Sequence, residues 1–378
     1  MTRSARTRQV LIAAVLVFGV LAAAGMAGVG WYFSDQLLAP DHSSPNYDIT
    51  VRAVSAPTVE MDKTTDTSRQ GTFGLEWRGG HAIVGKVITT SRSTVTRNLQ
   101  DADGSLHVGE RVVLTTPVYQ GDPEAAFGIP SDDVLIPGEL GMLPAWYVPG
   151  RLRDFVIVVH GHNAPQTDGL RVVPALAKLG LPMVLIRYRN DVGAPASPDH
   201  LLHLGDTEWR DVEAAVRWAL AQGATRVVLV GISMGGALVQ LFMRNSSFAA
   251  KVPAVILDSP VLDWDAVINF QAARRGIPNF LVWPTEQVIR QRIGFDVMSY
   301  NQVRDAGSMR APTLLFQDGQ ETFLPPEGAA RLAKARPDLV EYHLFPDAGH
   351  TQEWNVDQVA YESILTSFLV RKLGIFAA

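Results

Sequence analysis

The stretch Val227-Val-Leu-Val-Gly231-Ile-Ser233-Met-Gly235-Gly236-Ala-Leu-Val-Gln-Leu-Phe-Met243 decides how this chain is built. Its first four residues are aliphatic with no polar alternate, the pattern of a strand covered on both faces. The run breaks at glycine and resumes as a helical pattern, so Ser233 stands on the turn between strand and helix. A serine on such a turn is held in a strained conformation that lifts its hydroxyl above the sheet. Residues two before and two after it must be small for strand and helix to approach, and Gly231 and Gly235 meet that requirement.

Working outward, short apolar runs alternate with helical patterns: Val112-Val-Leu114, Ala145-Trp-Tyr-Val148, Phe155-Val-Ile-Val-Val159, Val184-Leu-Ile186, Val255-Ile-Leu257, Thr313-Leu-Leu-Phe316 and Tyr342-His-Leu344. Helices between doubly covered strands imply a parallel sheet, hence an α/β domain. The helix before the key strand places Val212, Val216, Ala219 and Leu220 on one face, with Asp206 expected to cap it and Gly223 to end it.

A serine hydroxyl is a poor nucleophile near neutral pH and needs an adjacent base, normally a histidine oriented by a carboxylate. His350, in the loop Pro346-Asp-Ala-Gly-His350 after the last strand, is the candidate base. The loop Gln317-Asp318-Gly-Gln-Glu321-Thr-Phe-Leu-Pro325 offers two carboxylates, and Asp258 ends another strand, so three acids are open.

With Gly231 to Gly236, His160-Gly161, Glu321 and Gly349-His350, the region from about Val112 to Leu373 resembles the α/β-hydrolase superfamily of esterases, lipases and related acyl hydrolases. The resemblance implies a mostly parallel central sheet flanked by helices, with a helical cap. Aligning the family's acid loop on Pro325 sets Glu321 at the acid position, although glutamate replaces the usual aspartate and Asp318 stands where glycine is usual. Asp318 and Asp258 stay open as alternatives, since some members take the acid from the position of Asp258. The resemblance also implies an oxyanion hole made of the backbone amides of Met234 and His162.

The pair His160 and His162 has a spacing known from metal sites, yet no histidine or aspartate follows within three residues, so neither a metal nor a cofactor is expected. The insertion from about 260 to 310 carries Phe270, Ile277, Phe280, Leu281, Val282, Trp283, Val288 and Ile289. These residues either line an acyl pocket under a cap or pack the cap onto the core. Trp354 and Asn355 are similarly open between supporting His350 and meeting substrate.

At the other end of the chain, Val10 to Phe33 carries no charge, long enough to cross a bilayer as a helix. Arg3, Arg6 and Arg8 precede it, predicting a cytoplasmic tail over residues 1–9 and a domain outside. A signal peptide cut near Ala24 to Gly28 is the competing reading, opposed by the length of the run and by Trp31 and Tyr32 as interfacial anchors. Residues 34–48, with two prolines, read as a linker; 49–110 as a small β-rich appendage of unreadable role; and 111–378 as the hydrolase domain. The 33 basic against 38 acidic residues form no basic stripe, which removes nucleic acid as a partner. The 378 residues include no cysteine, so thiolate chemistry and disulfides are excluded. The expected function is hydrolysis of a small or lipid-like ester through an acyl-enzyme, with a peptidase, an acyltransferase and a catalytically silent envelope scaffold as alternatives.

Overall fold

The computed structural model describes residues 3–375, so that Phe376 to Ala378 and the first two residues of the expected tail lie outside the described residues. A single long helix, α1 (Arg3–Leu38), opens the chain and holds an apolar segment, Leu11–Leu38, of mean hydropathy 2.4, long enough to cross a membrane. From Leu11 to Gly28 its described side chains are exposed, and its last turns then dock on the body of the protein.

Six strands follow: β1 (Ile49–Ser55), β2 (Thr58–Asp62), β3 (Phe73–Trp77), β4 (Gly80–Thr90), β5 (Thr94–Asp103) and β6 (Arg111–Thr115). They close into a barrel of order β1-β2-β5-β4-β3-β6 around Val51, Val59, Met61, Phe73, Leu75 and Val84. The appendage therefore extends past residue 110. Val112-Val-Leu114 belongs to it, because β6 pairs with β1 and β3 and closes the barrel. Arg97 on β5 is wholly buried and donates to the carbonyls of Gly85, Thr67, Arg69 and Gly71 at 2.6–3.0 Å. Burial lowers its pKa to about 10, and the four acceptors tie the loop 67–71 to the barrel wall.

The second body is an eight-stranded sheet of order β14-β13-β12-β11-β9-β10-β8-β7. Its strands are β7 (Asp132–Pro137), β8 (Met142–Val148), β9 (Asp154–Val159), β10 (Met183–Ile186), β11 (Arg226–Ile232), β12 (Val255–Asp258), β13 (Thr313–Asp318) and β14 (Val340–Phe345). From β9 to β14 all pairs are parallel; β7 and β8 add an antiparallel edge. Along β11, Val227 and Leu229 enter one core layer and Val228, Val230 and Ile232 the other, which is why the run had no polar alternate. β7 escaped a reading by apolar runs because Asp132, Asp133 and Pro137 dilute it.

The flanking helices are α2 (Pro123–Phe127), α3 (Val173–Lys178), α4 (Trp209–Ala221), α5 (Met234–Asn245), α8 (Gly328–Ala335), α9 (Glu353–Val356) and α10 (Gln358–Leu373), while α6 (Trp264–Arg274) and α7 (Val282–Ile293) form a cap between β12 and β13. Asp206 does not cap α4. The position before the helix is taken by Glu208, whose carboxylate instead accepts from the amides of His203 and Gly205 at 2.6 and 2.9 Å. Residues 34–48 are not a spacer either. Helix α1 runs on to Leu38, a fully buried core residue, and the Leu38 carbonyl accepts from the Leu202 amide at 2.8 Å.

Replacing Arg97 by methionine would keep most of its volume but leave four carbonyls without their donor. Each buried group left unpaired costs about 1–3 kcal/mol. We expect Arg97→Met to lower the thermal midpoint of detergent-solubilised protein by about 5 °C or more, whereas exposed Arg92→Met should leave it unchanged.

Candidate active site

Sheet order reverses beside β9, the crevice where ligands of open α/β sheets bind, at the carboxyl ends of the strands. The loops after β9, β11, β12, β13 and β14 all emerge there. Ser233, between β11 and α5, has φ 51° and ψ −115°, a conformation that costs on the order of 1–3 kcal/mol. A Cβ on Gly231 would stand 2.6 Å from the Gly235 carbonyl oxygen, and one on Gly235 would stand 2.2 Å from that of Val159. Only glycine permits this approach. The turn is held because the Ser233 amide donates to the Asp258 carbonyl at 2.9 Å and its carbonyl accepts from the Val261 amide at 3.0 Å.

The structure brings Ser233, His350 and Glu321 into one line. Ser233 Oγ lies 2.9 Å from His350 Nε2, and His350 Nδ1 lies 2.9 Å from Glu321 Oε2. The Glu321 side chain is fully buried, and its other oxygen accepts from the amides of Thr322 and Phe323 at 2.7 and 2.6 Å. Burial alone would raise its pKa, but His350 and these donors outweigh that and bring it down to about 2. Glu321 is thus a carboxylate, His350 carries its proton on Nδ1, and Nε2 is free to accept from the serine hydroxyl. Burial works against the charged form of His350 too, yet the hydrogen bond to Glu321 raises its pKa overall.

The other two carboxylates are engaged elsewhere. Asp258 accepts from the Tyr361 hydroxyl at 2.8 Å and lies 3.6 Å from Arg171. Asp318 and Glu353 each lie 2.6 Å from Ser259 Oγ. One hydroxyl carries one proton, so either Asp318 or Glu353 must itself donate. Both are raised, Glu353 strongly and Asp318 to about 7, by burial and by neighbouring negative charge. The negative charge on this side of His350 is thereby concentrated on Glu321. Asp318, Glu321 and His350 also bring three possible metal-ligating atoms within 4.8 Å, but both His350 nitrogens are already hydrogen-bonded within the line.

Beyond Ser233 opens a cavity of about 360 Å³. Ile277, Leu281, Val282 and Ile289 of the cap line it, together with Phe33 and Leu37 of α1. Met234 and His162 also line it, so the two residues expected to meet an oxyanion border the same space as Ser233. The His162 side chain does something the sequence did not foretell: its Nε2 donates to the Leu37 carbonyl at 2.8 Å, at the end of α1. Asn163 accepts from the Asp41 amide at 3.0 Å. His160 is buried, stacked on Tyr188, and bonded to Asp191 at 2.9 Å, which orients the loop rather than facing the cavity.

The loop carrying His350 is braced from both bodies. Thr351 has φ 57°, its carbonyl accepts from Arg171 at 2.5 Å and its amide donates to Ser259 at 3.3 Å. From the barrel, Arg69 donates to Gln352 and, at 3.3 Å, to Gln320 one residue before Glu321. Asn355 donates to the carbonyls of Thr72 and Thr116 at 2.8 and 2.9 Å, and the Thr72 amide donates back at 2.8 Å. Trp354 is buried and bonded to Glu362. Both residues therefore support the His350 loop from behind. Arg69, Arg171 and Ser259 had no motif to mark them; a buried arginine flanked by strand-end carboxylates is legible only in space.

This fold, with a serine on a strained strand-to-helix turn and a histidine beside it, is that of the α/β hydrolases. Residues 199–375 match the model of the prolyl oligopeptidase family, and residues 50–115, the barrel, match a domain of unknown function. An uncharacterized protein of Mycobacterium tuberculosis is 25% identical over 251 residues, 64% of this chain and 80% of that one. Dipeptidyl aminopeptidase BIII of Pseudoxanthomonas mexicana is 25% identical over 222 residues, 53% of this chain but 30% of that enzyme. Among solved structures, an esterase of Pyrococcus furiosus superposes with a TM-score of 0.55 at 19% identity, covering 68% of this chain and 96% of that one.

Two outcomes follow for any substrate turned over here. Proton acceptance requires neutral His350, whose pKa is raised, so activity should fall as pH drops through a midpoint above the ordinary imidazole value of about 6.5. In Glu321→Gln the residual activity should show this midpoint moved down, because the stabilising charge is gone. Arg69→Ala should lower kcat by about tenfold through loosened loops, with KM little changed.

Proposed function

We propose that this protein is a membrane-anchored serine hydrolase that cleaves carboxylic esters through an acyl-enzyme, in the manner of a carboxylesterase or lysophospholipase. The observation that carries the reading is the Glu321–His350–Ser233 line, with 2.9 Å at each step, opening into an apolar cavity. His350 Nε2 takes the Ser233 proton as Oγ attacks the ester carbonyl, and the amides of Met234 and His162 receive the oxyanion. Collapse of the tetrahedral adduct expels the alcohol, which leaves with the proton held by His350. Water then gives a proton to His350 and attacks the acyl group, and the carboxylic acid departs as Ser233 regains its proton.

A peptidase is the second reading, favoured by the match of residues 199–375 to the prolyl oligopeptidase family. The lining of the cavity supports an ester instead, since a peptide brings an amide donor and acceptor at every residue and the cap side is mostly apolar, with Val267, Ile268, Ile277, Leu281, Val282 and Ile289 against Gln271, Arg275 and Thr285. The same reading has α1 cross the membrane with its arginine-rich start inside. The protein should then resist alkaline extraction from membranes, and finding the domain soluble with a new N-terminus near Ala24 to Gly28 would establish cleavage instead.

A fluorophosphonate should label the protein once, at Ser233, and His350→Ala should suppress labelling. Ser233→Ala should abolish hydrolysis of p-nitrophenyl acetate, and Glu321→Gln should lower kcat by about three to four orders of magnitude. A folded wild-type protein that is neither labelled nor active on esters or peptides would favour a silent envelope scaffold. Transfer of the acyl group to an added alcohol in preference to water would make it an acyltransferase.

A further inference from the structure

The catalytic cavity is not closed by the hydrolase domain alone: Phe33, Gln36 and Leu37 of α1 form part of its wall. The helix is joined to the cap by a close crossing, since a Cβ on Gly30 would stand 3.1 Å from Val288 and 3.3 Å from the Pro284 carbonyl oxygen. One helical turn on, Arg292 clamps it. Its guanidinium lies 4.3 Å from the centre of the Trp31 ring, donates to Ser34 at 2.6 Å and pairs with Asp35 at 2.7 Å. Gly30 against Pro284 to Val288, then Ser34 and Asp35 against Arg292, means that α7 runs parallel to α1.

That direction sets depth. Leu11 to Gly30 is enough helix to traverse a hydrocarbon core of about 30 Å, so the crossing with the cap begins where the membrane interface would lie. The segment leading into α7, Asn279–Leu281, also contacts α1 and sits on the membrane side of the crossing. Its neighbourhood is suited to that place. Ile277 to Thr285 carries no charge, Arg274 and Arg275 precede it and the buried Glu286 follows it, and Phe280 and Trp283 are 68% and 64% exposed. Trp31 and Tyr32 on α1 are exposed as well. Leu281 and Val282, between the two exposed aromatics, line the cavity.

We propose that the leading edge of the cap, Ile277 to Trp283, is immersed in the membrane interface and that the substrate is a lipid ester whose acyl chain passes from the bilayer, between α1 and the cap, into the cavity beside Ser233. The inference rests on the ester-hydrolase reading above and adds the substrate class and its route. Aromatic side chains and uncharged backbone at the interface gain by burial there, and the preceding arginines meet lipid phosphates. The chain then never has to cross water to reach the serine. A hydrolase of water-soluble esters has no use for a wall made by its own membrane helix.

The test uses the full chain in vesicles of phosphatidylcholine with a minor share of phosphatidylglycerol. Two esters are compared: p-nitrophenyl palmitate dissolved in the bilayer and p-nitrophenyl acetate in the water. The double variant Phe280→Ser, Trp283→Ser, which alters neither the cavity lining nor the Ser233 line, should lose about tenfold or more on the palmitate, with acetate turnover kept within about twofold. Equal rates for variant and wild type on palmitate, or equal losses on both esters, overturn the proposal. Because the chain has no cysteine, Phe280→Cys accepts a single nitrobenzoxadiazole label. Its emission should shift to the blue in vesicles and be quenched by spin-labelled lipid; water-like, unquenched emission overturns the immersion of the cap. If wild-type protein cleaves neither ester and takes no fluorophosphonate, the hydrolase reading itself has failed and the substrate proposal falls with it. A wild type active on acetate and inert on palmitate overturns the lipid route alone.

Discussion

The site depends on one forced approach, that of α5 onto the ends of β9 and β11. Ser233 can be lifted above the sheet only if its backbone enters the left-handed region, and that is held open by Gly231 and Gly235, where any side chain would collide with backbone. Two main-chain hydrogen bonds from the end of β12 and the turn after it prevent relaxation. With Ser233 fixed, the loops after β13 and β14 need only reach one point in space. They do so with a glutamate whose added methylene spans the distance from its own loop.

Around this point the charges are arranged economically. Five carboxylates, Asp168, Asp258, Asp318, Glu321 and Glu353, lie near one buried arginine and one histidine. If all were ionised the cluster would not be stable in so dry a place. Protonation of Asp318 or Glu353, required by the shared Ser259 hydroxyl, leaves Glu321 as the charge that His350 feels. Arg171 holds the strand-end side of the cluster and, through the Thr351 carbonyl, the loop of the base.

Neither attached element is a bystander. The barrel reaches the back of the His350 loop through Arg69, Thr72 and Thr116, while α1 reaches the opposite wall through Leu37 and His162. Base and oxyanion loop are thus each pinned by a part of the chain that precedes the hydrolase domain. Arg97 matters for the same reason, because it fixes the barrel loop from which Arg69 and Thr72 extend.

Much of this was legible before any coordinates. A strand buried on both faces cannot alternate, so β9, β11 and β13 announce themselves as apolar runs, and the close packing at Ser233 demands small residues at fixed offsets. The helix α1 was legible as a long uncharged apolar run from Val10, though it continues five residues past Phe33. Closure of the barrel by β6 was not, since Val112-Val-Leu114 reads identically as an edge strand of either body and only its partners decide. Residue pattern alone left Asp258, Asp318 and Glu321 open, Asp258 and Asp318 ending strands and Glu321 on the loop after β13; hydrogen-bond reach to His350 Nδ1, a matter of ångströms, separates them. The composite wall of the cavity lay furthest out of view. Leu37 and His162 are 125 residues apart, and the physical reason they meet, an apolar helix end that continues into the domain core at Leu38, exists only once both have folded.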